Sequence, residues 1–417
     1  MTAAKKETRL IFDFIRTFIK WLFIAGITGA VGGLVGSAFH LSVTCAAGLR
    51  EAHPWLLWLL PVSGLLIAGL YRLTKMENKN TNAIIDSIHF GNNVPLALVP
   101  AIFISTFITH LFGGSAGREG AALQIGGSLG CYIGRFFRLD DKDMRIATLS
   151  GMSAVFSALF GTPLTATLFA LEVISVGVIY YSALVPCLVA SLIALEISVL
   201  FGIAPTRFAA AAEPVTVIMI LKVAGLALLC ALVSVLFCIV MHRTEHLFSA
   251  YIKNSFLRIF AGGCIVVALT LFYGSTDCNG AGMEIIRQAI EDGQARPELF
   301  GFKLLLTAAT IGSGFKGGEV VPTFFIGATF ACVVGPLLGI PAGFAAAIGL
   351  IAVFCGAVNC PVASIALSIE LFGSSELIYF ALACGIAYML SGYFGLYSSQ
   401  KIMYSKLKAE FININAK

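Results

Sequence analysis

Charge is scarce in this sequence. Lys, Arg, Asp and Glu make up 12% of its 417 residues, against about a quarter in an ordinary soluble domain. Hydrophobic residues make up 58%, and the mean hydropathy is +0.93. Length alone would accommodate two or three soluble domains, but apolar stretches recur from Phe18 to Leu396 with only short polar breaks. Such a chain cannot hide its apolar surface in water, so the bilayer is its solvent. Metal and disulfide chemistry are excluded by a second absence: the eleven cysteines lie scattered through apolar runs with no CxxC pair, which leaves neither a zinc site nor a disulfide framework. Nothing in the sequence calls for a cofactor, and the net charge of +5 needs no nucleic-acid partner. The basic residues cluster at the ends, as Lys5, Lys6, Arg9, Arg16 and Lys20, then Lys401, Lys406 and Lys408. The positive-inside tendency puts both ends on the cytoplasmic side of a cell membrane. The first apolar run begins too late and is too long for a secretory leader.

What is present is a set of interrupted spans. Glycine and polar clusters cut the apolar runs at Gly91 to Pro95, Gly113 to Gly120, Phe160 to Pro163, Gly314 to Pro322 and Val358 to Pro361. Non-helical backbone at membrane depth is tolerated only where protein or a wet cavity satisfies it, so broken helices around a transport pathway are expected. The chain also repeats itself. Ala154-Val155-Phe156, Pro163 and Glu172 recur 198 positions later as Ala352-Val353-Phe354, Pro361 and Glu370. Gly114, Gly117, Glu119 and Gly127 recur 200 positions later as Gly314, Gly317, Glu319 and Gly327. The expected organisation is a cytoplasmic segment 1–20, transmembrane repeats 21–205 and 206–400, and a cytoplasmic tail 401–417.

Transporters built from repeats bind substrate near the midplane, where half-helices aim their N-termini. Glycine-rich segments opening a helix leave N–H groups unpaired beside a positive dipole end, which suits an anion. A cation site would want several converging acids, and the spans hold few. Glu119, at the expected start of a helix, can occupy an anion site when ionised and leave it when protonated, which makes one side chain both gate and proton carrier. Glu319, its repeat mate, offers a second titratable group on the same path. Arg118 is read as a structural partner for an acid or loop carbonyls, His110 as a structurally satisfied histidine, and Glu172 and Glu370 as solvated acids at aqueous helix ends. Tyr397, on spacing alone, is an interfacial anchor. An intramembrane hydrolase using Ser115 or Ser153 with His110 lacks an orienting acid, so the chain is not read as an enzyme.

At Gly117-Arg118-Glu119-Gly120 the sequence resembles the GREGP signature of the CLC family of chloride channels and proton-coupled anion antiporters, with Ala121 in place of proline. Gly91-Asn92-Asn93-Val94-Pro95 stands where that family has GSGIP, Gly318-Glu319-Val320-Val321-Pro322 where it has GxFxP, and Tyr397 where it has an anion-coordinating tyrosine. Asn92 in place of serine, and Glu319 with Val320 in GxFxP, are similar to the CLC-F fluoride/proton antiporters. Val173, after Glu172, stands where chloride-coupled members carry an internal proton-transfer glutamate. The resemblance implies an all-α CLC fold of two inverted-topology repeats and a homodimer with one pathway per subunit. No nucleotide-binding CBS pair is expected after Lys417. By the same resemblance Glu119 and Glu319 are the gating and proton-transfer residues, and Asn92, Asn93, Val94, Gly120, Val320, Val321 and Tyr397 line the anion path, with Gly117, Arg118 and Gly318 as motif support. The implied activity is fluoride export against inward protons, with chloride exchange or an anion channel on the same fold as the alternative.

Overall fold

The computed structural model describes residues 3–77, 79–91, 94–210 and 213–417. The first half contains α1 (Ala3–Ala52), α2 (Leu60–Leu73), α3 (Thr81–Phe90), α4 (Leu98–Leu111), α5 (Glu119–Phe136), α6 (Asp141–Phe160), α7 (Pro163–Glu172), the short strand β1 (Ser175–Val176) and α8 (Leu184–Leu200). The second half follows the same plan with α9 (Val217–Tyr251), α10 (Ser255–Tyr273), the short α11 (Met283–Arg287), α12 (Leu299–Ser313), α13 (Val320–Val334), α14 (Ala342–Val358), α15 (Pro361–Phe372) and α16 (Leu377–Leu390), then β2 (Lys401–Tyr404) and β3 (Phe411–Asn415).

Helix lengths explain the architecture. Among the described residues, six helical stretches are long and apolar enough to cross a membrane, and α1, at 50 residues, extends about 75 Å at 1.5 Å per residue. Others are too short: α7 has 10 residues and α15 has 12, about 15–18 Å against a hydrocarbon core of about 30 Å. These half-helices must end inside the protein, and their termini need partners there. Pro163 and Pro361 open them at the position where a missing N–H costs nothing.

The partners come from the other half. Glu172, at the C-terminal end of α7, accepts the N–H groups of Val362 at 3.2 Å and Ala363 at 2.9 Å. Glu370, near the end of α15, accepts those of Leu164 at 2.9 Å and Thr165 at 2.8 Å. Two antiparallel half-helices thus cap each other, each carboxylate meeting the positive end of its neighbour's dipole. This corrects the expectation of solvated acids: Glu172 is 5% exposed, and four backbone donors replace the water that was expected to hold the pair. The recurring Pro-to-Glu spacing is the sequence trace of this exchange.

Close helix contact accounts for much of the glycine. A Cβ at Gly126 would strike the carbonyl of Gly151, and one at Gly151 that of Gly126, so α5 and α6 touch backbone to backbone. Gly327 and Gly349 make the same kind of contact between α13 and α14. The extended link between the halves is stitched to both, Thr206 N–H to the Phe160 carbonyl and Phe208 N–H to that of Leu371, each at 3.0 Å.

Residues 401–417 are not a free tail. β2 pairs in parallel with β1, Ser175 opposite Lys401, and antiparallel with β3, Ile402 opposite Ile414. The resulting three-stranded sheet packs Val176, Ile402 and Ala416 against Tyr388 of α16 and Tyr393.

Candidate functional site

The two glycine-rich loops meet face to face. Gly117 N–H donates to the Gly318 carbonyl and Gly318 N–H to the Gly117 carbonyl, both at 2.7 Å, as an isolated antiparallel bridge. From this local two-fold point α5 and α13 run outward, so both N-termini, with their unpaired donors, lie at the meeting place of the two halves. A Cβ on Gly318 would overlap the Gly120 nitrogen, and one on Gly117 would lie 3.1 Å from the Val321 side chain. Only glycine lets the chains come this close.

Glu119 is the first residue of α5 and is 1% exposed. Its carboxylate folds back on its own helix start, where Oε2 accepts the Arg118 N–H at 2.9 Å and the Val321 N–H of α13 lies alongside. The Arg118 Nε is 3.7 Å from Oε1, which has no hydrogen-bond partner. Glu319 caps α13. Its carboxylate lies over Gly120, where a Cβ would sit 3.2 Å from Oε2, and that oxygen too is enclosed and unpartnered. Tyr397 is 2% exposed with an unpartnered hydroxyl. Leaving a buried polar atom unpaired costs about 1–3 kcal/mol, so three such atoms beside two helix N-termini mark a place built to receive something polar. Val320 and Val321 are buried and contribute first-turn N–H groups rather than side-chain chemistry.

A vestibule of about 380 Å³ leads to this place, lined by Asn80, Thr81, Asn82, Gln124, Lys316, Glu319 and Tyr397 among others. It brings a third helix start to the site. Asn80 caps α3 by accepting the Ala83 N–H at 3.2 Å. Asn82 Oδ1 accepts the Ser399 N–H at 3.1 Å. With its oxygen engaged by the tyrosine loop, the Asn82 amide keeps its N–H donors free among the described hydrogen bonds.

This arrangement corrects one expected lining residue, Val94. Asn92 and Asn93 lie outside the described residues, and Val94 lies far from the site. Gly91 ends α3 in the left-handed conformation at φ 72°, and the Val94 carbonyl accepts Arg135 Nη2 at 2.6 Å. Arg135 stands near the far end of α5, about 24 Å along the helix from Glu119. Gly91 here closes α3, whereas Asn80-Thr81-Asn82, at the other end, opens the same helix onto the vestibule. An N-cap residue ahead of an apolar run was the available signal.

Near Arg118 lie two buried bases, Lys303 and His110, and the half-buried Arg50. Lys303 is fully buried and donates to the carbonyls of Cys278 at 3.1 Å and Gly280 at 2.7 Å. Arg50 Nη1 and His110 Nε2 have no partner, while His110 Nδ1 is 2.9 Å from the Thr106 carbonyl. A lysine inside the run Phe302-Lys303-Leu304-Leu305 is a functional signal that sequence reading passed over. Ser115 binds the Cys278 carbonyl at 2.7 Å and Ser153 that of Cys187 at 3.1 Å, so neither pairs with His110 as a nucleophile would.

Comparison with known proteins agrees with this geometry. The chain is 38% identical to a chloride/fluoride channel protein of Pseudomonas syringae pv. tomato, over 94% of this chain and 89% of that one. It is 26% identical to an H(+)/Cl(-) exchange transporter ClcA of Vibrio vulnificus, over 87% and 84%. A crystal structure of a CLC-type fluoride/proton antiporter superposes with a TM-score of 0.89 at 30% identity, over 92% of this chain and 98% of that one. A slow cyanobacterial Cl−/H+ antiporter shares the fold, with a TM-score of 0.76 at 20% identity over 89% and 94%. The family model described as voltage gated chloride channel matches residues 63–392, and the chain belongs to that family, the CLC proteins.

Proposed function

We propose that this protein exports fluoride in exchange for protons, with Glu119 as gate and proton carrier. The observation that carries the reading is the Glu119 carboxylate held by the Arg118 N–H at the start of α5, where α13 also begins, beside unpartnered oxygens of Glu319 and Tyr397. An ionised carboxylate held by helix-start donors is bound as an anion would be. Protonation removes the charge those donors hold, so the side chain leaves and a halide takes its place among the N–H groups of Gly120, Val320 and Val321 and the Tyr397 hydroxyl. Each proton that reaches Glu119 is thus exchanged for an anion.

Glu319 supplies the titratable group on the vestibule side. Val173 cannot carry a proton, and its carbonyl is occupied by Gln400 at 3.0 Å. Fluoride is small and strongly hydrated, so replacing its water shell takes close, strong donors. The amide of Asn82 offers two N–H groups where a serine would offer a single O–H. Asn82, which lines the vestibule, is placed to supply that chemistry. Likeness to a fluoride/proton antiporter structure and to a chloride/fluoride channel protein supports the choice of ion. The same reading carries a homodimer in a cell membrane with both termini cytoplasmic. Chloride/proton exchange is the second reading, favoured by the ClcA relative.

Halide competition at Asn82 tests the choice of ion. Asn82→Ser is expected to lower the fluoride-to-chloride flux ratio of reconstituted protein about tenfold, the worth of one lost charge-assisted hydrogen bond. An unchanged ratio would remove Asn82 from the selectivity account.

A further inference from the structure

Tyr397 lies in a stretch, from Ser391 to Gln400, that contains neither helix nor strand. Its hydroxyl bonds to nothing, so the side chain does not anchor itself. What holds the hydroxyl at the site is the backbone on either side of it.

Two saturated amides grip that backbone. Asn359 is fully buried, ends α14 in the left-handed conformation at φ 58°, and donates from Nδ2 to the Phe394 carbonyl at 3.0 Å and to Gln400 Oε1 at 3.1 Å. Gln400 Nε2 in turn donates to the carbonyls of Val173 at 3.0 Å and Val358 at 2.9 Å. The grip therefore falls three residues before Tyr397 and three after it, and reaches both halves of the chain.

The orientation of the Asn359 amide is itself fixed from the C-terminal hairpin. Lys406, in the turn between β2 and β3, reaches Asn359 Oδ1 at 2.5 Å and Ser391 Oγ at 2.9 Å, with its ammonium 4.4 Å from the centre of the Tyr388 ring. No carboxylate pairs with it among the described residues. A half-buried ammonium without a counter-ion, its donors spent on an amide, a hydroxyl and an aromatic face, is held for position rather than for charge pairing. The strand pair adds further ties to the same stretch: Ala416 N–H to the Gln400 carbonyl at 2.9 Å, Lys417 N–H to that of Tyr393 at 2.8 Å, and the Tyr393 hydroxyl 2.9 Å from Ser405 Oγ.

We propose that the β2–β3 hairpin is a positioning element for Tyr397, with Lys406 as the pin that sets the Asn359 amide and, through it, the place of the tyrosine hydroxyl in the anion path. This rests on Tyr397 serving as an anion donor. Lys406 and Asn359 are positioning residues, and they act on the anion only through Tyr397.

A double-mutant cycle in proteoliposomes tests it. Lys406→Met is expected to raise the half-saturating anion concentration about tenfold, with the maximal rate within about twofold of wild type. In a Tyr397→Phe background the same substitution is expected to add nothing, because the hydroxyl it positions is gone. Multiplying effects in the double variant, an unchanged half-saturation in Lys406→Met, or no effect of Tyr397→Phe alone would each overturn the proposal. Should Lys406→Met not yield folded protein, Lys406→Gln and Ser391→Ala enter the same cycle with the same expected outcomes. If the wild type carries chloride and not fluoride, the fluoride reading fails. The cycle is then measured with chloride and still decides the role of Lys406.

Discussion

Glu119→Gln is expected to end proton movement altogether while leaving an anion path. Proton uptake coupled to anion efflux should fall at least about a hundredfold, to the leak of empty vesicles, because an amide cannot take up and release a proton at any pH the protein meets. Glutamine keeps the size of the side chain but loses the charge that the Arg118 N–H holds at the helix start. Its grip on the helix starts weakens, and any anion flux that remains should be independent of the proton gradient. Simultaneous recording of anion and proton in vesicles reads both effects. Persistent proton pumping by this variant would end the role given to Glu119.

The second large effect is expected from a single methyl group. Gly318→Ala puts a Cβ onto the Gly120 nitrogen, and the backbone bridge with Gly117 leaves neither loop free to retreat. Overpacking of a close-packed contact costs about 1–3 kcal/mol, and here the strain falls on the starts of both α5 and α13. Lowered thermal stability of the purified protein, together with loss of anion flux well beyond the loss of folded material, is the expected result. A stable and fully active Gly318→Ala would mean that the two loops do not meet as described.

Much of this site was legible because the sequence is so poor in charge. An acid such as Glu119 between glycines in an apolar chain stands out, and the repeat points to Glu319 independently. The structure brings both to the starts of α5 and α13. The same repeat made Pro163 with Glu172 and Pro361 with Glu370 visible as pairs, but not their exchange across α7 and α15, since periodicity within a segment says nothing about which distant helix start a carboxylate will meet.

That the start of α3 meets the vestibule was hidden for a local reason. α3 has ten residues, and both of its ends carry asparagines, which suit a helix start and a helix stop for different reasons. A helix this short has too few turns for hydrophobic periodicity to say which end faces the site. The hairpin behind Tyr397 was hidden differently. Phe411-Ile412-Asn413-Ile414-Asn415 alternates as a strand does. Its sheet, however, is completed by the two residues of β1 in the first half, a pairing with no local signature.

The most direct measurement is of wild-type protein in vesicles loaded with fluoride or with chloride, voltage clamped by a potassium ionophore, with external anion and proton followed together. The account predicts fluoride efflux accompanied by proton uptake in fixed proportion, and little chloride flux. Chloride efflux equal to or faster than fluoride, or fluoride efflux with no proton uptake, would contradict it.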